Sequence, residues 1–95
     1  KGWVKFSATA GVVTVNSSSN LTSVVRNSQG NFTITWDTDF SSADYAVLVT
    51  ASNLACPYIS SMTAGAVVII CDSLENTAGA TIDPDIVCAV AFGVQ

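Results

Sequence analysis

The side chains of this sequence that could do chemistry are mainly carboxylates and thiols, because none of its 95 residues is histidine. Asp83 and Asp85 flank Pro84 in the run IDPDI, and a pair of carboxylates can act as acid and base in glycoside cleavage. Nothing around this pair resembles a substrate cleft, and an Asp-Pro-Asp run is typical of a turn. Without histidine, Ser-His-Asp and Cys-His activation of a nucleophile is excluded. The sequence therefore predicts no enzyme and no catalytic residues.

A second acidic stretch, DTDFSSAD, invites a calcium interpretation. An EF-hand loop that begins at Asp37 needs glycine at its sixth position and glutamate at its twelfth. Those positions are Ser42 and Leu48, so the ligand pattern fails. We interpret this stretch as a polar loop between strands.

The cysteines are three in number and widely separated: Cys56, Cys71 and Cys88. They lack the paired spacing of a zinc site, and we expect no metal and no cofactor. Cys71 ends the run AVVIIC and Cys88 lies inside IVCAVAF, positions typical of small buried hydrophobic residues. A Cys71–Cys88 disulfide stays open, but an odd count with no visible secretion signal favours reduced thiols and assembly in a reducing cytoplasm.

The charge balance excludes several classes of partner. The net charge is −4, and the only cations are Lys1, Lys5 and Arg26. Nucleic-acid binding needs clustered cations to displace counterions, and an anionic membrane surface attracts them for the same reason. The longest apolar runs, AVVII and IVCAVAF, are far shorter than the roughly 20 residues that span a bilayer. We therefore expect no nucleic-acid partner and no membrane insertion.

Strands must position these residues, because Val, Ile, Thr and Ser dominate and turn residues recur at the spacing of an all-β sandwich or barrel. The turn-like stretch RNSQGNF predicts a hairpin with Gly30 at positive φ. In the next strand, Phe32, Ile34 and Trp36 alternate with two threonines and should face the core. Trp3 also lies in a strand pattern, which favours packing in a core or an interface. The predicted strands are Gly2–Ser7, Gly11–Asn16, Leu21–Arg26, Asn31–Trp36, Tyr45–Ser52, Tyr58–Met62, Ala66–Asp72 and Ile86–Phe92.

Three of these strands, YAVLV, AVVII and VCAVAF, are apolar at consecutive positions. Such runs are typical of strands that are covered on both faces. Hydrophobic residues make up 49% of the chain and charged residues 11%, against a usual charged share of roughly 25%. Without helices, the second cover must be another sheet, another subunit or both, and a closed homo-oligomer is the simplest way to supply it.

The order of five segments resembles the small β-rich domain near the C-terminus of tailed-bacteriophage tail-fibre proteins. The segments are WVKF from Trp3, then GVVTVN, NLTSVVRNSQGNFTITWDTDF, ADYAVLVTAS and DPDIVCAVAF. The resemblance implies one all-β tip domain over residues 1–95, a small antiparallel, jelly-roll-like β-sandwich that is intertwined or packed as a homotrimer. The missing initiator methionine agrees with a C-terminal piece of a longer fibre protein.

The function that the resemblance implies is to trimerise the fibre end and to contact a host-cell receptor during adsorption. The expected partners are an upstream fibre stalk and a cell-surface polysaccharide or outer-membrane protein, and the expected location is the virion, assembled in the bacterial cytoplasm. Loop position gives the candidate receptor-binding residues, which are Asn53, Leu54, Tyr58, Glu75 and Asn76. Two alternatives stay open: a purely structural trimeric cap, and a monomeric carbohydrate-binding or adhesin module.

Overall fold

The chain folds as a sandwich of two four-stranded antiparallel sheets. A computed structural model describes residues 1–74 and 80–95. Sheet A has the order β2-β1-β8-β5 and sheet B the order β3-β4-β7-β6. Eight strands in two antiparallel sheets confirm the predicted all-β sandwich, and this strand count is also that of a jelly roll. The strands are β1 Gly2–Ser7, β2 Thr14–Ser19, β3 Leu21–Ser28, β4 Asn31–Trp36, β5 Ala46–Ala51, β6 Ala55–Met62, β7 Ala66–Ser73 and β8 Val87–Phe92.

Two of the predicted strands differ from the observed strands by three residues, and the others differ by at most two. The strand expected over Gly11–Asn16 begins only at Thr14, because Ala10 and Gly11 take left-handed conformations with φ of 56° and 77° and close a short 3-10 turn. β6 begins at Ala55 rather than at Tyr58, and so includes Pro57. β6 is an edge strand, where the missing N–H of proline is tolerated. Nowhere in the described part of the chain is there a helix long and apolar enough to cross a bilayer.

The core lies between the two sheets and follows the period of two that strands impose. Phe32, Ile34 and Trp36 of β4 are buried, as predicted, while Thr33 and Thr35 lie half-buried on the outer face. The ring of Phe6 in sheet A meets that of Phe32 in sheet B edge to face, with centroids 5.3 Å apart. The other buried hydrophobic residues of the strands are Val4, Val67, Ile69, Cys71, Val87, Ala89 and Ala91.

The three strands that are apolar at consecutive positions differ in their environment. β7 and β8 are central strands, and neighbouring strands on both sides leave their outward residues half-buried, except for the exposed Phe92 at the end of β8. β5 is instead an edge strand of sheet A, and its outward residue Leu48 is 64% exposed. Within one chain, the second face of β5 therefore has no cover from the described residues.

Because the strands are antiparallel, each connection between them lies at one of the two ends of the sandwich. The proximal end carries both termini, where the Lys1 amino group donates to the Oε1 of Gln95 and the Nε2 of Gln95 donates to the carbonyl of Thr38 at 2.9 Å. The distal end carries the β3–β4 turn, the β5–β6 turn and residues 80–86, which lead into β8. Any polypeptide joined to either terminus therefore meets the domain opposite these distal connections.

The predicted hairpin at Gly30 is confirmed, with φ of 68°. A β-carbon built there would lie 2.8 Å from the carbonyl oxygen of Ile82 and 2.9 Å from that of Cys71. The Gly30 carbonyl also accepts a hydrogen bond of 2.8 Å from the Cys71 amide. Backbone atoms thus surround this glycine, and they cannot give way as a flexible side chain can.

We expect Gly30→Ala to lower the free energy of unfolding by about 2–4 kcal/mol, because left-handed strain adds to backbone overlap. Gly11→Ala is the matched control, since φ is also positive there but the nearest atoms belong to the Arg26 side chain. That control should cost about 1 kcal/mol. Urea unfolding midpoints at a constant slope measure both losses, and equal losses would contradict the assigned role of the backbone around Gly30.

Candidate functional site

The distal end is built around the segment that leads into β8. The carboxylate of Asp83 accepts hydrogen bonds from the Nη2 of Arg26 at 2.9 Å and from the amide of Gly30 at 2.8 Å. The Nε of Arg26 adds contacts of 3.2 and 3.3 Å to the same carboxylate. This forked pairing ties the β7–β8 connection to the β3–β4 turn.

Asp85 makes an equivalent connection to other loops. Its carboxylate accepts hydrogen bonds from the Oγ1 of Thr9 at 2.8 Å and from the Nδ2 of Asn53 at 3.2 Å. Its amide donates to the Oδ1 of Asn53 at 2.6 Å. Asp83 and Asp85 therefore bind different loops on the two sides of Pro84, and the run IDPDI acts as the turn that its composition indicates.

The Arg26 contact changes the pKa of Asp83. Burial by itself raises the pKa of this carboxyl, but hydrogen bonds from Arg26 and Gly30, together with the Arg26 charge, outweigh it and leave the pKa below its ordinary value of 3.8. The hydrogen bond to Asp83 in turn raises the pKa of Arg26. This ion pair therefore keeps its charge to lower pH than a free carboxylate would.

The β5–β6 turn holds the two candidate residues Asn53 and Leu54. Both are left-handed, with φ of 64° and 52°, and the Ala55 amide donates to the Ser52 carbonyl at 3.3 Å across the turn. Asparagine tolerates this conformation, but for leucine it costs about 1–2 kcal/mol. The Asn53 side chain is engaged with Asp85, so Asn53 shapes the turn, whereas Leu54 is 60% exposed.

Two further apolar residues that sequence reasoning missed lie near Leu54. The Leu74 amide donates to the Leu54 carbonyl at 3.0 Å, and the Leu74 side chain is exposed. Ile86, also exposed, exchanges backbone and side-chain hydrogen bonds with Ser52. We call Leu54, Leu74 and Ile86 the apex. In the sequence, Leu74 and Ile86 are large apolar residues within the polar turns DSLEN and DPDIV, and this pattern could have indicated that they are exposed.

The remaining candidate residues are not part of the apex. Tyr58 lies inside β6, opposite Ile70 and 46% exposed, so it belongs to the outer face of sheet B rather than to a distal loop. Glu75 and Asn76 lie outside the described residues. The structure thus brings Asn53 and Leu54 together and places Tyr58 on the side of the sandwich.

The three thiols have different environments and form no disulfide. Cys71 is buried in the core, and burial, followed by the charges of Asp83 and Asp72, raises its pKa to about 11. Cys88 is half-buried and Cys56 is exposed. Cys88 lies on the outer face of sheet A and Cys56 on the outer face of sheet B. The reactivity of each thiol therefore measures the accessibility of a different face.

Ligand-binding geometry of other kinds is absent from residues 1–74 and 80–95. This part of the chain encloses no pocket, and no three of its acidic and thiol side chains converge as metal ligands. Phe40, inside the acidic stretch DTDFSSAD, is instead buried against Trp36 and Tyr45. Comparison with known proteins finds no matching family model, curated protein or solved structure.

The Arg26–Asp83 pair gives a testable pH dependence. Because the folded-state pKa of Asp83 lies below the unfolded value, its contribution to stability is present above about pH 4 and is lost as pH falls through the folded-state pKa. We expect Asp83→Asn to flatten the fall of unfolding free energy between about pH 4 and pH 2. Arg26→Gln should flatten it partly, because the Gly30 amide still donates to Asp83.

Urea unfolding across this pH range measures the effect. Lys5→Gln is the matched control, since it removes a cation that makes no ion pair within the described residues, and it should keep the wild-type curve. A curve for Asp83→Asn as steep as that of the wild type would contradict the assignment.

Proposed function

We propose that this chain is the tip domain of a tailed-bacteriophage tail fibre, which trimerises the fibre end and contacts a receptor on the host-cell surface. The observation that carries the proposal is that the termini and the apex lie at opposite ends of the domain. Lys1 and Gln95 meet at the proximal end, whereas the apex and its supporting loops lie at the distal end. A stalk joined at the proximal end would present the apex outward, toward a cell surface.

The construction of the distal end supports this use. Asp83 and Asp85 fasten the loops beneath the apex to one another, which limits the ordering cost of binding. The exposed side chains above them are apolar and form no enclosed pocket within the described residues. Such a surface suits a large partner, a cell-surface polysaccharide or an outer-membrane protein, better than a small molecule.

A trimer would strengthen weak contacts at each apex. Three copies on one fibre convert the second and third contacts into intramolecular events, which can raise the overall affinity by about 10²–10⁴ without any new interaction. The proposed location is the virion, after assembly in the bacterial cytoplasm, and three free thiols agree with a reducing site of assembly.

A purely structural cap is the second candidate, and one observation favours it. The polar side chains nearest the apex, those of Asn53 and Asp85, are already hydrogen-bonded to each other. A polysaccharide receptor would need such groups as partners. A cap would use the domain only to trimerise and terminate the stalk.

Binding to host envelope fractions separates these two functions. We expect Leu54→Asn to bind about tenfold or more weakly than the wild-type oligomer, because the substitution removes an exposed apolar side chain of the apex. The variant should fold at least as well as the wild type, since asparagine accepts the left-handed conformation that strains leucine. Thermal unfolding of both proteins verifies this.

Val94→Asn is the matched control, because Val94 is 75% exposed at the proximal end and its loss should leave binding unchanged. Equal weakening by both variants would contradict a receptor site at the apex. A wild-type protein that is oligomeric yet binds no envelope fraction would leave only the cap.

A further inference from the structure

The outer face of sheet A carries a continuous apolar row. Trp3 pairs with Val90 across β1 and β8, and Val90 pairs with Leu48 across β8 and β5. Phe92, 46% exposed, lies next to this row, and the half-buried Cys88 lies on its other side. We call Trp3, Leu48, Cys88, Val90 and Phe92 the A-face. Exposed apolar surface that is contiguous across several strands marks an interaction site more often than scattered residues do.

The A-face differs from the rest of the molecule in its lack of negative charge. The chain has a net charge of −4, yet the outer faces of β1, β8 and β5 carry no carboxylate and only one cation, Lys5. The outer face of sheet B carries Asp72 and is interrupted by Asn31 and Thr33. When identical acidic chains approach one another, the A-face is thus where no carboxylates oppose each other.

The free edge next to the A-face lacks the features that prevent strands from pairing between molecules. β5 pairs with β8 in unbroken register from Ala46 to Ala51 and contains neither proline nor a charged residue. Among the other edge strands, β3 and β6 have register shifts and β6 also contains Pro57, whereas β2 has one shift but stays in register over residues 17–19. An edge that is regular and uncharged is open to association.

We propose that the A-face is covered by other copies of this chain, with β5 of one copy lying beside β2 of the next. This inference rests on the trimer of the proposed function and specifies which surface forms it. The two edges of sheet A differ, one being β5 and the other β2, so a contact between them is head to tail, and a rotation of one third of a turn between copies would close it as a ring of three. Neither β2 nor β5 contains a charged residue, so the contact between these two edges buries no ion. Lys5, the one charge on the outer face of sheet A, lies near the distal end of β1, where its long side chain can extend to solvent.

The arrangement is compatible with a fibre. With the A-faces directed at a common axis, the strands of each copy run roughly along that axis. All three proximal ends then lie together on one side, and all three apices lie together on the other. The outer face of sheet B, with Tyr58 and Cys56, stays exposed on the outside of the ring.

The test is the solution mass of the chain across a wide dilution range, measured by light scattering for the wild type and two variants. We expect a wild-type mass of three chains and a rise of about tenfold or more in the dissociation concentration for Leu48→Glu, which places a charge in the apolar row. Val25→Glu is the matched control, because Val25 is 51% exposed on β3 of the other sheet, and it should keep the wild-type mass. Circular dichroism verifies that both variants fold.

Alkylation of the native thiols gives a second measurement that needs no substitution. Cys88 should react about tenfold more slowly, or slower still, in the assembled state than after dilution, whereas the rate at Cys56 should not change with dilution. The buried Cys71 should stay unreactive in both states. A rate at Cys88 that is independent of assembly would overturn the A-face as the interface.

The outcomes distinguish this inference from the proposed function. If the trimer survives Leu48→Glu but dissociates with Val25→Glu, the A-face is wrong and the trimer stands. A wild-type monomer throughout the range would overturn both the interface and the trimer, while receptor binding by the apex is still decided by Leu54→Asn. A mass of two chains would overturn the trimer and the β5–β2 contact together.

Discussion

The packing of sheet A on sheet B is the interaction on which the rest of this structure depends. A chain of 95 residues supports only one core, and each strand can give that core no more than alternate side chains. The contact of Phe6 with Phe32 joins the two layers near the distal end, and no third layer covers either sheet within the described residues. Each outer face therefore depends on its neighbours in the sheet, or on another molecule, for its environment.

The distal loops show how the few charges of this protein are used. The carboxylates of Asp83 and Asp85 each bind a loop from another part of the chain. The loops are thereby held by directional hydrogen bonds, which compensates for the lack of core packing at the rim. Charge that holds loops in place is not free to meet a ligand, and the exposed atoms of the apex are correspondingly apolar.

Sequence reasoning predicted the local features of this fold and missed the non-local ones. The alternation in β4 and the positive φ of Gly30 follow from side-chain period and backbone sterics, and both were predictable. YAVLV and VCAVAF are both apolar at consecutive positions, yet the first forms an exposed edge strand and the second a central strand. Strand order depends on pairing between distant segments, so the local pattern could not distinguish them. The partners of Asp83 and Asp85 depend on the same long-range order. The left-handed Leu54 violates residue preference, so no local signal could indicate it, and Glu75 and Asn76 lie outside the described residues.

The meeting of the two termini has a mechanical consequence. β1 and β8 are antiparallel neighbours, and their free ends lie on the same side of the domain. Force applied between the termini would open the β1–β8 hydrogen bonds one after another, like a zipper. Force applied between the proximal end and the apex would instead load the same bonds together, in shear. A domain held at its base and pulled at its apex is thus loaded along its more resistant direction, a difference that single-molecule pulling in the two geometries would register.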